Sequence, residues 1–274
     1  MIFQAGCLLL SLVAGIIGLP LNGEQDTSPY FDSIQRRIYN GDEAGPVPHM
    51  VALVVGTHTK TFVCGASLIT TRHVLTAAHC IDAVTKNGAL IGSLKGIVGT
   101  NYWNKGGTHY TFTVNIPHPQ WDSIRKRNDI GILVTSLPVT LNKYVQVVSL
   151  NFNFIGGNVP VIVHGWGRLQ KEAKESSPSL QELRTFTIDS SSCASRILNR
   201  QNTTSFDPNR EICTFLDKNS GVFFGDSGSP LILQDTRQQI AVVSRVFLGT
   251  TSRYPDLYLR VSAYKDWIQQ ILRL

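Results

Sequence analysis

Three short segments hold residue types that together could activate a serine. Val74-Leu75-Thr76-Ala77-Ala78-His79-Cys80 carries a histidine, Asn128-Asp129-Ile130-Gly131-Ile132-Leu133 an aspartate, and Gly225-Asp226-Ser227-Gly228-Ser229-Pro230 a serine among glycines. Each type alone is common. A single histidine is more often structural, an aspartate before an apolar run is usually a turn residue, and serine beside glycine is usually a loop. Here they follow one another as His79, Asp129 and Ser227, separated by 50 and 98 residues. A serine hydroxyl is a poor nucleophile at neutral pH. It needs a neighbouring base whose pKa lies near the working pH, and histidine has one. That histidine must be held in one tautomer while its developing positive charge is stabilised, and a buried aspartate does both.

These segments, in this order, resemble those of the chymotrypsin-like (trypsin-fold) serine proteases. The resemblance runs from Ile38 to Leu274. It extends to Cys64-Gly65-Ala66-Ser67-Leu68-Ile69, Gly165-Trp166-Gly167 and Tyr258-Leu259-Arg260-Val261. It implies that Ser227 is the nucleophile, His79 the general base and then acid, and Asp129 the orienting carboxylate. The backbone N–H groups of Gly225 and Ser227 would form the oxyanion hole. The implied activity is that of a secreted serine endopeptidase working through an acyl-enzyme intermediate. The rival class is an inactive homologue acting as a binding or regulatory protein. Its usual sign is a missing triad residue, and all three are present.

Asp226, next to the nucleophile, needs a partner if it is buried. In the family that partner is a new α-amino group released by cleavage. Here it would be Ile38, freed by scission after Arg37, and Ile38-Tyr39-Asn40-Gly41 resembles the family's mature start. Residues 24–37 are polar and rich in turn formers, as expected of an exposed propeptide. Residues 2–21 are almost continuously apolar, with small residues near the end, and read as a signal peptide cleaved near 18–23. The expected domains are therefore 1–23, 24–37 and a protease domain at 38–274.

Five cysteines leave one over. Cys7 lies in the leader, and export would discard it, leaving an even number suited to an oxidising compartment. Four cysteines allow three connectivities, and the resemblance selects Cys64–Cys80 and Cys193–Cys213. Metal ligation is the alternative, but no close Cys-x-x-Cys pair exists. A third bridge common near the family's substrate pocket is missing both halves: Phe223 stands at one, and Phe247-Leu248-Gly249 at the other.

The implied pocket gives conflicting signals. Gly221 occupies the floor position, where an aspartate would select Arg or Lys. The wall is Ser244-Arg245-Val246, and Val246 would narrow it, which favours chymotrypsin- or elastase-like specificity. Asp256 falls where the family often has glycine, and its carboxylate could still attract a basic side chain; it reads equally well as a turn residue.

These residues need a scaffold. From Ile38 onward the chain shows short strand-like runs: Met50 to Val55, Val74 to Ala77, Ile130 to Val134, Val159 to Val163, Leu231 to Leu233 and Ile240 to Val246. Asn87-Gly88, Gly106-Gly107, Pro117-His118-Pro119 and Gly156-Gly157-Asn158 punctuate them, a pattern of sandwiches or barrels. One helix is expected, Ser262 to Leu274, capped by Ser262, with Ala263, Trp267, Ile268 and Ile271 on one face. The resemblance makes this all-β class specific: two packed antiparallel six-stranded β-barrels, the triad between them, and a C-terminal α-helix.

Composition agrees. The 274 residues are 42% hydrophobic and 16% charged, which excludes a disordered polymer and weakens a coiled-coil reading. The net charge is +6. Lys and Arg are dispersed apart from Arg125-Lys126-Arg127, so a solvated face is expected rather than a nucleic-acid or stable membrane surface. The sequence has neither His-Glu-x-x-His nor a phosphate-binding glycine loop, so no metal and no cofactor are expected. Asn202-Thr203-Thr204 is an N-glycosylation pattern. The expected partners of this extracellular monomer are protein or peptide substrates, an activating protease and protein protease inhibitors.

Overall fold

Short β-branched runs divided by turn residues pair into two curled sheets. A computed structural model describes residues 41–169, 173–198, 206–216, 220–245 and 254–273. The expected leader and propeptide, with Arg37, and the positions Ile38, Asn202 and Val246 lie outside the described residues.

In chain order the first elements are β1 (Asp42–Glu43), β2 (Met50–Val55), β3 (Thr61–Leu68), β4 (His73–Thr76), α1 (Ala78–Ala83), β5 (Thr85–Lys86), β6 (Ala89–Leu90), β7 (Lys95–Val98), β8 (Thr108–Tyr110), β9 (Phe112–Pro117) and β10 (Gly131–Thr135). Then come β11 (Pro160–Gly165), β12 (Gln181–Ile188), α2 (Ser190–Leu198), β13 (Glu211–Thr214), β14 (Pro230–Leu233), β15 (Gln239–Arg245), β16 (Asp256–Arg260) and α3 (Lys265–Leu272). Asn87 and Gly88, both at positive φ, form the two-residue turn between β5 and β6.

One sheet runs β8-β7-β2-β3-β4-β10-β9. Its outer strands are consecutive pieces of chain divided by Thr111 alone. The sheet is a curled half-barrel of six strands if β8 and β9 count as one, its edges joined through the backbone but by no ladder among the described residues. The other sheet runs β1-β12-β11-β14-β15-β16-β13, with β12 also pairing β13. The extra ladder joins Thr187 to Thr214 and Ile188 to Cys213, which closes six strands and leaves β1 hung on β12. Closure removes exposed edges.

The barrels are packed on each other through side chains. Leu53, Leu68, Leu75 and Ile132 of the first share a buried cluster with Ile232, Val242 and Leu259 of the second. Val161, Val163, Leu231, Val243 and Tyr258 fill the interior of the second barrel. Along β12 burial follows a two-residue period, as a half-buried strand requires.

The helices correct the sequence reading. Val261–Tyr264 is a 3-10 turn, and α3 begins at Lys265 with Tyr264 as a cap whose side chain makes no capping bond to the helix. Ser262 lies inside that turn, and Ala263 is exposed. The buried stripe is Tyr264, Ile268 and Ile271. Tyr264 fixes this start, because its hydroxyl donates to Asn128 Oδ1 at 3.2 Å. Two further helices, α1 and α2, were not expected. Asp189 caps α2, accepting from Ser192 N–H at 2.8 Å.

Candidate active site

His79 and Asp129 come from the same end of two paired strands: His79 follows β4, Asp129 precedes β10, and Thr76 of β4 faces Gly131 of β10. His79 is the second residue of α1, a helix whose cap residue, Ala77, offers no side-chain acceptor. Asp129 supplies one from elsewhere in the chain. Its Oδ1 accepts from the His79 N–H at 2.8 Å, and its Oδ2 contacts His79 Nδ1 at 2.7 Å. One carboxylate thus meets a free helix N–H and fixes the imidazole. Asp129 itself sits in a tight turn before β10, where Ile130 N–H donates to the Asn128 carbonyl at 2.8 Å. Asn128 takes positive φ there, a conformation asparagine tolerates. Asp129 is fully buried, while the His79 side chain is 27% exposed. A third group joins them: Ser244 Oγ donates to Asp129 Oδ2 at 2.7 Å. The sequence reading gave Ser244 to the substrate wall; its hydroxyl is bound to the aspartate.

Ser227 reaches this point on a loop stitched to both barrels. Gly65 N–H on β3 donates to the Ser227 carbonyl at 2.9 Å, and Gly228 N–H donates to the Val243 carbonyl on β15 at 2.8 Å. Gly65 follows Cys64, whose disulfide to Cys80 anchors the residue beside His79. Among the described residues Ser227 Oγ makes no hydrogen bond to His79, whose Nε2 lies 3.7 Å from Cys80 Sγ. Such bonds are commonly loose before substrate binds. Neither Gly225 N–H nor Ser227 N–H has an internal acceptor among the described residues. Two free amides flanking a nucleophile are what an oxyanion hole requires.

Both expected disulfides are present, Cys64–Cys80 and Cys193–Cys213. The sulfurs of Cys64 and Cys80 approach His79, but as a cystine they offer no thiolate to a metal.

Asp226 is fully buried. Its carboxylate accepts from Gly167 N–H and Phe223 N–H, each at 2.8 Å. Gly165 and Gly167 lie so close to it that a Cβ on either would overlap the carboxylate. Burial raises its pKa from 3.8 to about 6, against the two amide bonds. Among the described residues no cation is paired with it. Phe223, in place of a cysteine, is buried edge-on against Phe224.

Gly221 and Asp256 do meet. A Cβ on Gly221 would stand 2.9 Å from Asp256 Oδ2, which accepts from Val222 N–H at 3.0 Å. Burial, with the nearby Asp226 charge adding to it, lifts the Asp256 carboxyl well above its ordinary value. Next along the wall from Ser244, Arg245 forms an ion pair with Glu211, a contact the sequence did not suggest.

Two weaker signals resolve as packing. His118 lies in the loop after β9, its ring against Tyr264 and Trp267 at 5.2 and 5.1 Å. In the basic cluster, Arg125 pairs with Asp122 at 3.0 Å, and Lys126 lies over the Trp121 ring.

Comparison with known proteins agrees with this geometry. The family model described as Trypsin matches residues 38–268. The chain is 31% identical to Serine protease SP24D of Anopheles gambiae, over 92% of this chain and 86% of that one. It is 31% identical to Chymotrypsin-C of Bos taurus over 90% and 93% of the two chains. Identity to Neutrophil elastase of Mus musculus is also 31%, over 77% and 73%.

Proposed function

This chain belongs to the trypsin family of serine proteases, and from that premise we propose that it is a secreted serine endopeptidase made as a zymogen. The observation that carries the reading is the double hold of Asp129 on His79, backed by Ser244. With Nδ1–H bound to the carboxylate, His79 keeps Nε2 as the lone pair that takes the Ser227 proton. Ser227 Oγ then attacks the scissile carbonyl. Negative charge moves to the carbonyl oxygen, where the Gly225 and Ser227 amides receive it. His79 returns the proton to the leaving amine, an acyl-enzyme remains, and water repeats the sequence in reverse.

Activation is part of the proposal. Cleavage after Arg37 would give Ile38 a charged amino group, the partner that buried Asp226 needs. Secretion is supported by the apolar leader and by two disulfides, which persist in oxidising compartments. No helix among the described residues is long and apolar enough to cross a membrane.

For specificity, Gly221 at the floor favours uncharged side chains in the chymotrypsin- or elastase-like manner. A second reading rests on the contact of Asp256 with Gly221, which supports acceptance of basic side chains as well.

The test of the whole reading is a peptide assay before and after cleavage at Arg37. The cleaved chain should hydrolyse peptides, while an Arg37→Gln chain should stay inactive. Full activity of Arg37→Gln with its propeptide attached would refute the zymogen reading.

A further inference from the structure

Strand β15 carries an extra residue near its end. Val242 stands opposite Leu259 of β16 and Val243 opposite Tyr258, but Arg245 is the residue opposite Leu257, so Ser244 sits in a β-bulge. Strand residues alternate faces, and a one-residue insertion moves whatever follows it to the other face. Val242 and Leu259 belong to the buried cluster shared by the two barrels, whereas Val243 and Tyr258 fill the second barrel. Without the bulge Arg245 would follow Val243 inward. With it, Arg245 joins the face of Val242 and Leu259. There it meets Glu211 of β13, which stands opposite Leu259.

Arg245 and Glu211 form an ion pair across the intervening strand β16, with side chains only 11% and 7% exposed. Glu211 is fixed from its own side as well. Its Oε2 accepts from Asp207 N–H at 2.8 Å, and its carbonyl accepts from Arg260 Nε at 2.8 Å. Separating a buried pair strands a charge without water, so the pair resists any shift of the strand end that carries Arg245. The residue directly before Arg245 is Ser244. Its Oγ donates to Asp129 Oδ2 at 2.7 Å, and the same Oδ2 contacts His79 Nδ1 at 2.7 Å. Bulges beside active sites re-aim a side chain, and this one carries the hydroxyl that meets the triad's aspartate.

We propose that Glu211 and Arg245 are positioning residues for catalysis, a role that rests on the endopeptidase reading. Their ion pair clamps the end of β15 so that the bulge aims Ser244 Oγ at Asp129. Through Asp129 the clamp holds the His79 ring.

The test uses a double variant, Glu211→Gln with Arg245→Met. Both charges go together, so neither is left buried alone, and the glutamine keeps an acceptor for Asp207 N–H. The full-length variant should fold, as thermal unfolding checks. After cleavage at Arg37, its kcat on a neutral peptide should fall roughly tenfold with KM nearly unchanged. A pair that served stability alone would leave kcat of this folded variant at the parent value, and that result would overturn the proposal. A second readout needs no activity. In the uncleaved parent, Ser244→Ala should lower the unfolding midpoint by roughly 3–12 °C, the loss of a hydrogen bond to a carboxylate. In the double variant the same change should be much smaller, because the hydroxyl is no longer aimed. Equal shifts in the two backgrounds would overturn the clamp. An inactive parent with unequal shifts would refute the endopeptidase reading and uphold the clamp, so the two failures are told apart.

Discussion

Replacing Asp226 by asparagine should change how stability depends on pH, with opposite sign before and after cleavage. Asp226 is buried, and its pKa rises from 3.8 in the unfolded chain to about 6 in the fold. The folded state therefore holds its proton more tightly between those values. Stability from this group is fully present below pH 4 and is lost as pH rises through 6. A lift of about two units is worth about 3 kcal/mol. The uncleaved chain should lose that amount between pH 4 and 7, whereas Asp226→Asn, which cannot ionise, should not. At pH 4 the protonated acid and the amide are near equivalents, so the two curves start close together and then diverge. Urea unfolding of both uncleaved chains across this range measures the divergence. Cleavage should reverse the sign: once the Ile38 ammonium faces the carboxylate, its folded pKa falls, and stability is lost as pH drops instead. Parallel curves for the two uncleaved chains would refute the claim that burial disfavours the Asp226 charge. An unchanged sign after cleavage would refute the ion pair.

Other outcomes follow from single contacts. Ser244→Ala removes a hydrogen bond to an ionised carboxylate, worth about 1.5–3 kcal/mol. If the aspartate must be held for catalysis, kcat should fall roughly 10- to 100-fold with KM nearly unchanged, and an equal kcat would remove Ser244 from the positioning set. Asp256→Gly should lower kcat/KM for arginine substrates relative to phenylalanine and alanine substrates, and an unchanged ranking would remove Asp256 from the pocket. Because burial raises the Asp256 pKa, any activity on basic substrates should also climb with pH as that carboxyl ionises.

The order His79, Asp129, Ser227 was legible because each sits in a local motif whose residues serve the turn or helix that carries it. Strands such as β2 were legible because their apolar runs are bounded by turn residues. The start of α3 was not. It depends on Tyr264 reaching Asn128, a contact across 136 residues that no local pattern encodes. Helix α1 escaped notice for a similar reason, since Asp129 meets its first-turn N–H across 50 residues. Ser244 could be named as important, but its role could not, because only the barrel packing brings its hydroxyl to Asp129.

The most direct test of the central claim is labelling of the cleaved chain by a fluorophosphonate probe, with the modified peptide identified by mass spectrometry. Stoichiometric label on Ser227, lost in His79→Ala and absent from the uncleaved chain, is the predicted result. A folded chain cleaved after Arg37 that takes up no label at Ser227 would contradict it, and would favour a non-catalytic binding role for the same fold.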